Sequence, residues 1–284
     1  MWRGLLSVYW LGSALLCAQP ASLEQAAKLY HHTEYENSLR LLLAMPDKNG
    51  PVYDLIGRNQ FMLGEFKKAS ESYQQALAAD PSNSEYEHWL GKALGKRAET
   101  ASPFTAPGLA SRARQHFEQA VALNPRNKEA VDDLFEYYLE APGFLGGGLD
   151  KAVTVAAKIA ALDPAEGLWA QARIAERRKD YGKAEEQLRR AMQAAPTQVG
   201  RVVDLAKFLS KQGRIEESEQ TFRAAERIAP NNPRLLYNRA ETYIKAGRNI
   251  ETARELLKRY LSANLSPDDP SRQDAEKLLK QAGS

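Results

Sequence analysis

The stretch Val199–Pro230, VGRVVDLAKFLSKQGRIEESEQTFRAAERIAP, constrains the fold more than any other feature, because it is the clearest copy of a unit that recurs along the chain. Val202, Leu205, Ala206 and Leu209 fall at helical spacing in its first half, and Ile215, Ser218, Phe222 and Ala225 do so in its second. Residues three, four and seven apart share one face of a helix. Gly213 separates the halves, so the unit reads as a helical hairpin. From Ser218, a bulky residue follows four positions on (Phe222), a small one seven on (Ala225) and a proline twelve on (Pro230).

That spacing returns at Ala69, Tyr73, Ala76 and Pro81; at Ala113, Phe117, Ala120 and Pro125; at Ala152, Ala156, Ile159 and Pro164; and at Ala184, Leu188, Ala191 and Pro196. Two weaker copies flank these, Ser38, Leu42, Met45 before and Ala253, Leu257, Tyr260 after, both without the closing proline, as terminal units of an array often are. A second small residue stands twelve positions upstream in Ala26/Ser38, Gly57/Ala69, Ala172/Ala184 and Ala206/Ser218, which lets two helices approach closely. The series resembles the tetratricopeptide (TPR) repeat, whose period is about 34 residues and whose pattern carries Leu-Gly, Tyr, Ala, Phe, Ala and Pro in this order. The resemblance covers roughly residues 23–265. It implies an all-α, right-handed superhelix (α-solenoid) of about seven hairpins, near 22–49, 50–83, 84–126, 127–164, 165–198, 199–232 and 233–265, followed by a solvating helix within 266–284.

Composition agrees with such an array and narrows the function. Leu, Ala, Lys, Arg, Glu and Gln dominate, and no alternating β pattern of useful length occurs. The 39 basic residues outnumber the 36 acidic ones by only three and are spread along every helix, which is a solvated surface and not a nucleic-acid footprint. The sole cysteine, Cys17, excludes disulfides within the chain. It lies in a stretch, Met1–Ala18, with Arg3 followed by an apolar run, which reads as a secretory signal peptide with the mature chain starting at Gln19. The run is too short to span a bilayer. Leu16 before Cys17 argues against lipid attachment, so the expected location is periplasmic or secreted.

Two hairpins carry extra residues. In the third, Gly91 precedes Ala113 by twenty-two positions instead of twelve; Pro103, Pro107 and Gly108 within 96–110 predict a widened loop between its helices. In the fourth, an insertion at 141–148 contains Gly143, Gly146, Gly147 and Gly148 and displays Phe144 and Leu145 as a candidate docking patch. It lacks the Gly-Lys-Ser/Thr of a phosphate loop. Four histidines without His-x-x-x-His spacing, no Gly-x-Ser-x-Gly and no converging acid–base pair predict neither a metal site, a cofactor nor an enzyme.

In TPR proteins the first helix of each hairpin lines a concave groove. Carried onto this chain, the resemblance places Arg58, His88, Trp89, Asp132, Asp133, Trp169, Arg173, Arg177, Lys207, Tyr237 and Asn238 there as partner-binding residues. Tyr53, Phe66, Tyr73, Phe117, Tyr181 and Phe222 belong instead to the repeat's core positions. Trp169, Arg173 and Arg177 follow at four-residue spacing on one helix face, and aromatic and arginine side chains are enriched at binding hot spots. They are expected to be free for a ligand, so that replacing them weakens binding and leaves stability unchanged. The function expected is a non-catalytic protein- or peptide-binding scaffold. The alternative is a periplasmic component holding a glycan or solute between Trp89, Trp169 and the insertion loops, which requires an aromatic-lined pocket.

Overall fold

The computed structural model describes residues 22–283. The leader read over residues 1–18, including Cys17, lies outside the described residues. The described chain is all-helical: α1 (Leu23–His31), α2 (Tyr35–Leu43), α3 (Gly50–Met62), α4 (Phe66–Ala79), α5 (Ser84–Thr100), α6 (Ala106–Leu123), α7 (Lys128–Glu140), α8 (Leu149–Leu162), α9 (Pro164–Arg177), α10 (Tyr181–Ala194), α11 (Val199–Lys211), α12 (Ile215–Ile228), α13 (Pro233–Lys245), α14 (Ile250–Ser262) and α15 (Arg272–Gln281). The first fourteen pack as seven successive hairpins in an α-solenoid, and α15 follows.

Five of the six joints between hairpins carry side-chain caps; Gln198, before α11, makes none. Asn49, Asn83, Asn127, Asp163 and Asn232 each accept a backbone N–H from the first turn of the following helix, satisfying a donor that the helix cannot. Each such cap contributes about 1 kcal/mol. The turns inside the hairpins are of a different kind. In five of them the residue closing the first helix, Thr33, Gly64, Lys179, Gly213 or Gly247, takes positive φ and the next N–H reaches back to the helix end; in the last of these turns Asn249 takes positive φ as well. Threonine and lysine adopt that conformation at a steric cost that glycine does not carry.

The small pairs twelve residues apart act in two ways. Ser38 and Ser218 donate their hydroxyls to the carbonyls of Ala26 and Ala206, each at 2.8 Å, so a buried polar group is satisfied across the hairpin. Where the upstream residue is glycine, the partner is the bulky residue of the second helix: a Cβ on Gly57 would lie 2.7 Å from the Tyr73 ring, and one on Gly91 the same distance from Phe117. Tyr73, Phe117 and Phe222 are accordingly buried, whereas Tyr53 and Phe66 are only partly covered and Tyr181 is 43% exposed, so Tyr181 is not a core residue.

The insertion in the third hairpin differs from its expected form. Most of residues 96–110 is helical, lengthening α5 to 17 residues and α6 to 18, and the connection at 101–105 is only two residues longer than the one at 63–65. Pro107 sits in the first turn of α6, where the missing N–H costs nothing. The insertion in the fourth hairpin does form a loop, with a short 3-10 turn at Gly143–Leu145. Tyr137 donates to the Leu145 carbonyl and Lys151 to that of Gly146, and the pinned loop leaves Phe144 82% exposed. At the C-terminus, Ala275, Leu278 and Leu279 of α15 cover Leu256, Leu257 and Tyr260 of the last hairpin.

Candidate functional site

Two cavities lie largely on first helices. One, of about 1030 Å³, runs along α9, α11 and α13 and also touches Tyr181 and Leu188 of α10. Arg173, Arg177, Lys179, Lys207, Lys211 and Lys245 line it against Glu140, Glu176 and Asp204, six cations to three carboxylates. Arg177, Lys211 and Lys245 close three successive first helices and stand 34 residues apart, the repeat period itself. Cations in a last turn complement the helix dipole, at about 0.3–1 kcal/mol each. Lys211 pairs with Glu176 at 2.9 Å and Lys245 with Glu241 at 2.7 Å, whereas Arg177 and Lys179 make no ion pair among the described residues.

Trp169 and Arg173 are not free. The Trp169 ring packs against Phe135 with centroids 5.8 Å apart and has two guanidinium groups near its centroid, Arg173 at 5.7 Å and Arg201 at 5.6 Å. Arg173 in turn donates to Glu136 at 2.9 and 3.2 Å and to Glu140 at 2.9 Å. The four-residue stripe is therefore a bridge from α9 to α7 as far as Arg173, and only Arg177 stands exposed beyond it. Lys207 is held by Asn238 at 3.0 Å and Glu241 at 3.1 Å; Tyr237 packs on Tyr260 with centroids 5.4 Å apart.

The second cavity, of about 510 Å³, has the opposite balance: Glu85, Glu129, Asp132, Asp133 and Asp268 against Arg58, Lys92 and Arg234. Here too the aromatic is taken. Trp89, 7% exposed, has Arg58 at 4.7 Å and Lys92 at 4.1 Å from its ring centroid, and stacks with Tyr73. Arg58 is fixed by Asp54 at 3.0 Å. His88, read as a groove residue, is fully buried between Trp89 and Phe117, with its Nε2 2.7 Å from Asp133. Sequence spacing placed His88 one residue off the true face, and its partner 45 positions away was invisible.

Electrostatics mark the inner carboxylates. Burial first, then the neighbouring Glu166 and Asp133, push Asp132 up to about 7, against the pull of Arg201 and Lys128. Burial raises Asp204 to about 6 despite Arg201 beside it. Neither cavity is lined by residues 96–110 or 143–148, and each tryptophan ring has two of the protein's own cations beside it. The basic cavity has Trp169, Tyr181 and Phe208 in its wall and the acidic one Tyr30 and Trp89. Among the described residues no group of His, Cys, Asp and Glu has the arrangement of a metal site, and no helix is long and apolar enough to cross a membrane.

Tetratricopeptide repeat models match residues 50–83, which hold α3 and α4, and residues 175–233, which hold α10 to α12. No curated protein sequence matches the chain. Among solved structures, a tetratricopeptide repeat protein from Parabacteroides merdae superposes with a TM-score of 0.59 at 15% identity, over 92% of this chain and 97% of that one. A thermophilic TPR protein from Thermus thermophilus does so with a TM-score of 0.54 at 22% identity, over 66% of this chain and 96% of that one. With the hairpins, the small–bulky pairs and the matched models in agreement, the chain is a tetratricopeptide-repeat protein.

Proposed function

We propose that this protein is a non-catalytic scaffold that binds an extended, acidic segment of another protein along the basic cavity. The observation that carries this reading is the ladder Arg177, Lys211, Lys245, with Lys179 beside it. Packed helices lie about 8–10 Å apart, and an extended chain in the polyproline II form rises about 3.1 Å per residue with three residues per turn, so carboxylates at every third position share one face and meet successive rungs. Trp169, Leu188 and Phe208 supply apolar wall for the residues between. TPR arrays are interaction modules, which supports the same reading. With its leader over residues 1–18, the scaffold in this proposal works outside the cytoplasm; the intact mass of exported protein, expected to start at Gln19, tests it.

The binding test is fluorescence anisotropy with a labelled peptide bearing Glu at every third position, at low salt. Replacing Arg177, Lys211 and Lys245 together by Glu is expected to weaken binding about a hundredfold, close to 2.8 kcal/mol at about 1.4 kcal/mol per tenfold. Affinity unchanged by the triple replacement overturns the reading. A second docking surface is supported by exposure alone: Phe104 is 95% and Phe144 82% exposed, on the connections of two neighbouring hairpins, with Leu145 beside the latter. A Phe104→Ser, Phe144→Ser double variant that still captures every partner from an envelope extract excludes it.

A further inference from the structure

The two ends of the array line one cavity. Tyr30 and His31 come from the end of α1, Arg234 from the start of α13, and Ser266, Pro267 and Asp268 from the segment after α14, yet all bound the same space of about 510 Å³. A second contact is independent of that cavity: a Cβ on Gly64, in the turn of the second hairpin, would lie 3.5 Å from Oε1 of Gln273 in α15. These two residues are 209 positions apart (273 − 64). Tyr35 reports the same proximity. Its hydroxyl is pushed upward by burial, then by Tyr30 and Asp269, with Arg272 opposing.

The C-terminal segment that makes this contact is braced. Asp269 accepts from the backbone N–H and hydroxyl of Ser266 at 2.8 and 2.9 Å and pairs with Arg234 at 3.5 Å. Tyr260 donates to the Pro270 carbonyl, Arg272 donates to that of Leu261, and Leu265 is 5% exposed. The segment thus belongs rigidly to the last hairpin, and whatever it touches at the other end is touched by a fixed strut. An end helix whose only role is to solvate the last hairpin has no need of such bracing or of a partner in the first two hairpins.

We propose that the solenoid closes on itself: residues 265–273, carried by the last hairpin and α15, dock against the first two hairpins, and the cation ladder lies on the inner wall of the resulting ring. The closure stands on its own geometry; the kind of partner it implies rests on the acidic-segment reading above. A ring admits an extended segment through its opening and excludes a folded domain. The joint is small and polar, so it opens to load a segment that has no free end.

Lysine cross-linking with mass spectrometry of the full chain tests closure without any partner. Lys68 lies four residues beyond Gly64 and Lys277 four beyond Gln273, one turn from the contact on each side. A Lys68–Lys277 link in the monomer fraction, as abundant as Lys211–Lys245, is expected. In an open array six hairpin steps of about 8–10 Å would hold these lysines on the order of 50 Å apart. Absence of the link from monomer that carries Lys211–Lys245, or small-angle scattering with the maximum dimension of an open array, overturns closure. The second arm compares the acidic peptide with a free end against the same peptide held between two folded domains. On cross-linked monomer the blocked form is expected to associate at least tenfold more slowly; equal rates overturn enclosure. Failure of both peptides to bind would instead sink the acidic-segment reading and leave the cross-link result standing.

Discussion

The basic cavity and the acidic one are built from the same repeat and differ in what their charges do. In the acidic cavity four of the five carboxylates, Glu85, Glu129, Asp132 and Asp133, stand in the first halves of α5 and α7, and much of the charge is consumed by the fold: Asp133 meets His88, Glu85 accepts from Asn127, and Arg58 is shared between Asp54 and the Trp89 face. In the basic one Arg177, Lys211 and Lys245 stand at helix ends, and two cations, Arg177 and Lys179, have no ion pair among the described residues. The corresponding ends of α1 and α3 carry His31 and Met62, not lysine or arginine. The last position of the first helix therefore contributes a cation to the basic wall and none at α1 or α3 except His31, and Trp89 and Trp169 both pack at joints between hairpins.

The strongest way to break this comparison is Trp169→Ala. If Trp169 is a joint, its loss removes packing on Phe135 and two cation contacts, and unfolding in urea should show a loss of about 2–3 kcal/mol. Arg177→Ala should change stability by less than about 0.5 kcal/mol, as for an exposed residue. Equal, small effects from both would return Trp169 to the role of a free ligand-binding side chain.

The acidic side is sharpened by Asp132→Asn. With its carboxyl raised to about 7, the folded protein holds that proton where an unfolded chain has already lost it, so stability falls as pH rises from about 4 to about 7. The variant should melt at a higher temperature than the parent at pH 8 and near the parent at pH 4, with a flatter profile between. A parallel profile would mean that Asp132 is no more strained than a surface carboxylate. The smallest effect is expected from Lys179→Gly in the turn between α9 and α10, where φ is 61°. Relief of the left-handed conformation should add about 0.5–1 kcal/mol, while removal of one groove cation weakens acidic-peptide binding by a few-fold. Stability and affinity moving in opposite directions would show the turn residue to be a ligand contact kept at a cost to the fold.

Much of the fold was legible because the repeat writes it in local terms. The pairs Gly57/Tyr73 and Gly91/Phe117, the Asn and Asp caps and the amphipathic α15 are all short-range signals. The site was less legible. A first-helix residue points both toward the groove and toward the neighbouring hairpin, and spacing alone does not say which surroundings take it up. Arg201 reaches the Trp169 ring from 32 positions on, and Asp133 reaches His88 from 45, so the fate of those rings lay in residues outside their own unit. Pro103, Pro107 and Gly108 gave a loop reading where Pro107 only opens a helix. The meeting of Gly64 with Gln273 is the sum of small rotations over every joint between them, which no window of sequence contains.

The tall third hairpin shows how such a chain can grow. Its arms exceed the 13 and 14 residues of α3 and α4 by four each, 17 − 13 and 18 − 14, which is one helical turn to within about 40°. Lengthening by a whole turn on both sides raises the hairpin by about 6 Å and brings Phe117 back over Gly91. An insertion of two residues in one arm alone would swing Phe117 half-way round its helix and unseat it from the joint. Length in this array is thus quantised: hairpins vary freely in height by turns, and scarcely at all by single residues.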